Sequence, residues 1–437
     1  MMAALRSGDW LTPERLRVYP LMLLAFAFVA VAFVIAASQG GVGPNNLPLG
    51  ADFSQVWVAG KEALAGHPEA PFDIRLHAAA QRSHFGPEKG IFGWHYPPYF
   101  LAPAAILARL PYLEALTLWQ CATLALYLVS ILAILRGSGL TPASIAVAAL
   151  AYPAVIVNLG HGQNGFLTAA LLGGGFVLLD RRPLLAGGLF ALLAYKPQFG
   201  LTLPLALLIG GHWRALAAGA ATLAAMTAAS LAAFGLASWR AFFDSLGFTR
   251  AIVEEGATGF EKIQSVFAAV RLMGGGVPAA YAAQTLAAAV ALSLLLPLLR
   301  SRVDARIKAA GVIAALFLTT PYSLDYDMMA LAPALALLLA HGLESGFRPY
   351  EKSALAVAYV APLLARPVAS VLPLPLGAAA IILLFLSTAR YSFPLIDHGD
   401  GPTAPAVGAD ARQSIVDNCK GRLCRFLTLI SPKVNFL

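Results

Sequence analysis

Apolar runs of membrane length dominate this chain. They fall at about 19–37, 114–135, 142–157, 165–180, 183–195, 197–210, 213–235, 279–299, 306–321, 327–341, 353–368 and 371–388. A run of about 17–25 apolar residues suits a membrane-spanning helix. In lipid such a segment must satisfy its own backbone hydrogen bonds, which leaves helices and closed barrels. These runs are continuous rather than alternating, so a helical bundle is predicted and a barrel is not. Only 12% of the 437 residues are charged, against about 25% in a soluble domain. The expected fold class is an all-α polytopic membrane protein of about 12 transmembrane helices.

Lys and Arg in short loops orient such a bundle. With the N-terminus inside, Arg136, Arg181, Arg182, Arg214, Arg300, Arg302, Arg306, Lys308, Arg348, Lys352 and Arg390 all fall inside. The net charge of +8 is thus scattered over helix ends, and nucleic acid is not an expected partner. The first run is long and lacks a clear small-residue cleavage site, so a retained span is expected rather than a signal peptide. Residues 97–110 are short and broken by proline, which predicts a re-entrant or interfacial segment. The three cysteines, Cys121, Cys419 and Cys424, form no disulfide or zinc pattern. The expected domain covers 1–391, with a structured outer loop at 38–98 and a second at 236–278. Residues 392–437 are expected to form a disordered cytoplasmic tail.

This orientation gathers the polar clusters on the outer face. Asp52 is the first carboxylate after the first run. It suits a general base, which needs a carboxylate within hydrogen-bond reach of a hydroxyl, and equally the N-cap of a helix starting near Phe53. His95 and Tyr96 precede two prolines, at a position that suits either a ligand contact or an interfacial aromatic belt. His161, Gln163 and Asn164 lie among glycines and fit either sugar hydroxyls or a solvated turn. Lys196 interrupts an apolar stretch together with Pro197 and Gln198. A charge there is costly and usually functional, although a snorkelling loop lysine is the alternative. Tyr322, Asp325 and Asp327 open another run, where acids serve as caps or as hydroxyl ligands. No phosphate-binding loop, dinucleotide fingerprint or nucleophile elbow is present.

Six stretches, in order, resemble glycosyltransferase family 87. They are ADFSQVWVAGKEALAG, HYPPYFLAPAAILARLPYLEALTLW, NLGHGQNGFLTAALLGGG, DRRPLLAGGLFALLAYKPQFGLTLPLALLIGGHWRA, QSVFAAVRLMGG and TTPYSLDYDMMALAPAL. The resemblance spans roughly residues 52–339 and excludes the tail. It implies a GT-C type bundle that moves a hexose, with mannose expected, from a polyprenyl-phosphate donor to a glycan or glycolipid acceptor. It further implies inversion, at the outer face of a bacterial inner membrane. By the same resemblance Asp52 is the expected base, and Lys196 and Gln198 lie near the donor phosphate. The resemblance also implies that His95, Tyr96, His161, Gln163, Asn164, Tyr322 and Asp325 line the sugar cavity. No cofactor and no metal is expected, because the donor already carries its leaving group and a cation can stabilise it. The competing reading is a transporter or flippase of a lipid-linked sugar.

Overall fold

A computed structural model describes residues 1–86 and 90–393. Among the described residues the chain is helical throughout, with isolated β-bridges and no strand. Six helices are long and apolar enough to cross a bilayer: Pro13–Ala36, Tyr112–Ile134, Trp213–Glu255, Val277–Arg300, Asp325–Ser345 and Glu351–Val371. Pro142–Leu150 and Ala154–His161 make a seventh if their 58° bend is counted as one broken span. The protein is an all-α polytopic membrane protein.

The number of apolar runs and the number of full spans differ. Gly165–Leu178 and Ala305–Leu318 are each 14 residues long, or about 21 Å at the α-helical rise. The hydrocarbon core is about 30 Å thick. Burial explains how such short helices persist. Ala305–Leu318 buries every residue from Ala309 to Leu318. Its apolar side chains meet other helices, not lipid. Pro13–Ala36 is the opposite case and buries no residue; Phe26, Phe28 and Phe33 all point outward. An apolar helix exposed on all sides is one that faces hydrocarbon.

Two expected loops contain helices. Residues 38–98 carry Phe53–Leu64 and Ile74–Phe85. Asp73 caps the second, accepting from the Arg75 N–H at 2.8 Å. Phe53–Leu64 lies so close to Leu101–Leu107 that a Cβ at Gly60 would sit 2.1 Å from the Ala104 carbonyl oxygen. Trp57 donates its indole N–H to the Leu110 carbonyl at 3.0 Å. Residues 236–278, expected as a large loop, continue as helix through Glu255 after a break at Gly235. They then form the short helices Phe260–Lys262 and Val266–Leu272. The segment Pro98–Leu107 is a short apolar helix. The expected tail lies outside the described residues from 394 onward.

Candidate active site

The site is built at a tight crossing of backbone. Helix Ala154–His161 ends at Gly162, which takes the left-handed φ of +70°. A Cβ there would lie 2.8 Å from Gly50 Cα and 2.9 Å from Phe53 Cβ, so both conformation and space require glycine. The turn is closed from within by Asn158, which is fully buried. Its amide donates to the Gln163 carbonyl at 3.0 Å, and its Oδ1 accepts the Gly165 N–H at 2.7 Å. Gln120 Nε2 also donates to the Gln163 carbonyl, at 3.1 Å. The turn therefore presents His161, Gln163 and Asn164 in fixed positions.

Asp52 meets that turn. Its N–H donates to the His161 carbonyl at 2.9 Å. Its Oδ2 lies 3.2 Å from His161 Nδ1 and accepts Gln163 Nε2 at 3.1 Å. Asp52 makes no side-chain cap to its own helix, so the capping alternative is not realised. Oδ1 accepts no hydrogen bond among the described residues. Two donors thus steady one oxygen while the other stays open, as a proton acceptor requires.

Two further groups complete the cluster. Tyr96, buried, donates its hydroxyl to Gln163 Oε1 at 3.1 Å and accepts Asn164 Nδ2 at 2.9 Å. On the other side, His161 Nε2 lies 3.8 Å from Asp325 Oδ1 and 3.4 Å from an Arg366 guanidinium nitrogen. Arg366 also lies 3.4 Å from Asp325 Oδ2. Asn164 Oδ1 is buried without a partner among the described residues, which leaves an acceptor free for a ligand hydroxyl.

Lys196 is placed differently. It is only 4% exposed and forms an ion pair with Asp327. Asp327 also accepts the Leu324 N–H at 2.8 Å, so it caps the short helix Asp325–Leu331 as well. A buried pair of this kind is neutral overall. The segment that carries Asp325 and Asp327 is held from outside by Gln264 and Ser323. Gln264 N–H donates to the Ser323 carbonyl at 2.7 Å, and Ser323 Oγ donates back at 2.9 Å.

Of the residues singled out by sequence, hydrogen bonds and close ion pairs join Asp52, Tyr96, His161, Gln163, Asn164 and Asp325. His95 faces a different wall. Its Nδ1 meets Thr249 Oγ1 at 2.8 Å, its ring stacks on Phe248, and burial pushes its pKa down to about 4. Gln198 and the Tyr322 hydroxyl join no hydrogen bond among the described residues. Sequence reasoning missed Arg366 as a site residue and Asp327 as the partner of Lys196. Arg366 stands inside an apolar run just before Pro367, the same signal that marked Lys196. Among the described residues no three His, Cys, Asp or Glu side chains are arranged to hold a metal.

A family model described as glycosyltransferase family 87 matches residues 94–321. No curated protein and no solved structure matches the chain.

Proposed function

The chain belongs to glycosyltransferase family 87, and on that premise we propose that this membrane glycosyltransferase moves a hexose from a polyprenyl-phosphate donor to a hydroxyl of a glycan or glycolipid. The observation that carries this reading is Asp52. Its Oδ2 is held by His161 and Gln163, and its Oδ1 is left open. Placed against an acceptor hydroxyl, Oδ1 takes the proton as the acceptor oxygen bonds to the anomeric carbon. The bond from that carbon to the phosphate oxygen breaks, and its electron pair leaves with the polyprenyl phosphate. Attack opposite the leaving group inverts the sugar carbon. Mannose is the sugar proposed, and the outer face of a bacterial inner membrane is the proposed location.

The departing phosphate needs a positive charge. Lys196 and Gln198 are the residues to which the sequence points, but Asp327 balances the Lys196 charge. Arg366 is 40% exposed at its side chain and one imidazole away from Asp52. Asp325 pairs with it as well, at 3.4 Å, but its exposure makes it the better placed cation, and its planar fork suits phosphate. Lys196 then acts through Asp327, fixing the segment that aims Asp325 at His161. Tyr96, Asn164 and Gln163 present donors and acceptors for sugar hydroxyls. His95, Tyr322 and Gln198 are proposed to line the wider cavity.

The test is transfer by the purified full chain in nanodiscs. Labelled polyprenyl phosphate mannose is supplied with an extract of envelope glycans and lipids. Wild type is expected to give labelled product, Asp52→Asn none above background, and Arg366→Gln a strong loss. Normal transfer by Asp52→Asn would remove Asp52 from the chemistry. Energised movement of the labelled lipid without product would favour the transport reading.

A further inference from the structure

A cavity lies at the opposite end of the bundle from the Asp52 cluster. Asn164 precedes helix Gly165–Leu178 in the cluster around Asp52, and Leu179 and Asp180 follow its far end. That 14-residue helix separates the two places by about 21 Å. The cavity has a volume of about 450 Å³, within the range of about 300–1,000 Å³ that holds small ligands. Its inner walls are apolar, with Leu203, Leu207 and Val312 among them. At its mouth, where the lining meets the surface, stand the exposed Arg136 and Arg181 and the half-buried Lys308.

The charges at the mouth are unbalanced. Arg136, Arg181 and Lys308 form no ion pair among the described residues. Arg306, beside them, is already taken by Asp304 and Glu344, each at 2.6 Å. Asp180 is the one acid lining the cavity, so the mouth is net positive. Arg136 and Arg181 lie just past helix C-termini, where basic residues complement the carbonyl ends, and all three cations suit the anionic membrane surface. That alone explains cations, but not a cavity with apolar walls behind them. A soluble anion has no use for those walls, and a neutral lipid has no use for the three cations. We propose that this cavity binds one anionic glycerophospholipid. Its phosphate sits between Arg136, Arg181 and Lys308, and an acyl chain runs along Leu203, Leu207 and Val312. The site is independent of the sugar-transfer reading.

The experiment is native mass spectrometry of the full chain in neutral detergent. It is titrated with phosphatidylglycerol or phosphatidylcholine, and thermal unfolding is followed alongside. Inorganic phosphate is a third arm. One phosphatidylglycerol is expected to remain bound, at least about tenfold tighter than phosphatidylcholine, as cations near an anionic lipid surface favour. The triple variant Arg136→Gln/Arg181→Gln/Lys308→Gln should weaken phosphatidylglycerol by on the order of 100-fold and leave phosphatidylcholine unchanged. Inorganic phosphate should not raise the melting midpoint. Equal binding of the two lipids by wild type would overturn the proposal, as would full retention of phosphatidylglycerol by the triple variant. Phosphate stabilising as well as phosphatidylglycerol would make this a soluble-anion site and also overturn it. Should the triple variant fail to fold, Val312→Phe decides: it fills the apolar wall, and unchanged phosphatidylglycerol binding there would equally overturn the site.

Discussion

Asp52 and His161 are tied twice, once by backbone and once by side chain. The Asp52 N–H reaches the His161 carbonyl at 2.9 Å, and the Asp52 carboxylate lies 3.2 Å from His161 Nδ1. The two residues come from helices on different parts of the chain. The double tie sets both where the carboxylate is and how it is turned. If this geometry serves proton transfer, His161→Ala should lower kcat by about 10- to 100-fold, less than Asp52→Asn, for which general-base loss predicts about 100- to 10,000-fold. Single-turnover transfer with each variant measures both. An equal loss in the two would make His161 as essential as the carboxylate and remove its role as a positioning residue.

The crossing of Gly50 and Gly162 is the point on which that tie depends. Gly162→Ala places a methyl within 2.8 Å of Gly50 Cα and 2.9 Å of Phe53 Cβ, at a φ that L residues avoid. The expected cost is about 1–3 kcal/mol from the backbone conformation, with the contacts adding to it. Transfer should fall further than stability, because the crossing sets the Asp52–His161 distance. A lowered melting midpoint with unaltered transfer at low temperature would separate the crossing from the site.

Lys196 and Asp327 should behave as a unit. Lys196→Met leaves a buried carboxylate without its partner, which costs about 3–5 kcal/mol. Asp327→Asn keeps an acceptor for the Leu324 N–H but leaves the ammonium unpaired, with a similar cost. The double variant Lys196→Met/Asp327→Asn should recover most of the loss of either single change. A double-mutant cycle on unfolding in detergent checks this; simple addition of the two losses would mean that the pair is not coupled.

His95 gives a pH dependence. Its folded pKa is lowered to about 4, mainly by burial, while an unfolded histidine titrates near 6.5. Above about pH 6.5 both states are neutral and nothing is lost. As the pH falls from there to about 4 the unfolded chain binds a proton that the fold refuses, so stability declines and then levels off. For a ring that solvent partly reaches, the loss is on the order of 2 kcal/mol. His95→Asn should flatten that part of the melting-midpoint profile, and a profile unchanged by the substitution would refute the assignment.

Much was legible in the sequence because the signals are local. The apolar runs became helical, with 142–157 broken into two helices, since length and hydropathy act within one segment. The breaks at Asp52, Gly162, Lys196 and Asp325 marked where polar groups had to be accommodated. The reading of Asp52 as base or cap stayed open because both fit the same spacing; only the side-chain direction separates them. Which runs cross the bilayer in full stayed open for a related reason. A fully apolar run reads alike whether it faces lipid or other helices.

The sequence by itself determined that the chain is an apolar helical membrane protein with polar clusters between its runs, and its motifs placed it near a glycosyltransferase family. Tertiary structure alone decided the partners. Lys196 finds Asp327 across 131 residues, and Arg366 finds His161 across 205. No local pattern encodes those distances. A buried charge must be neutralised wherever the fold delivers an opposite one, so packing decided that Lys196 pairs with Asp327 out of reach of solvent and that Arg366, paired with Asp325, stays partly exposed beside the Asp52 cluster.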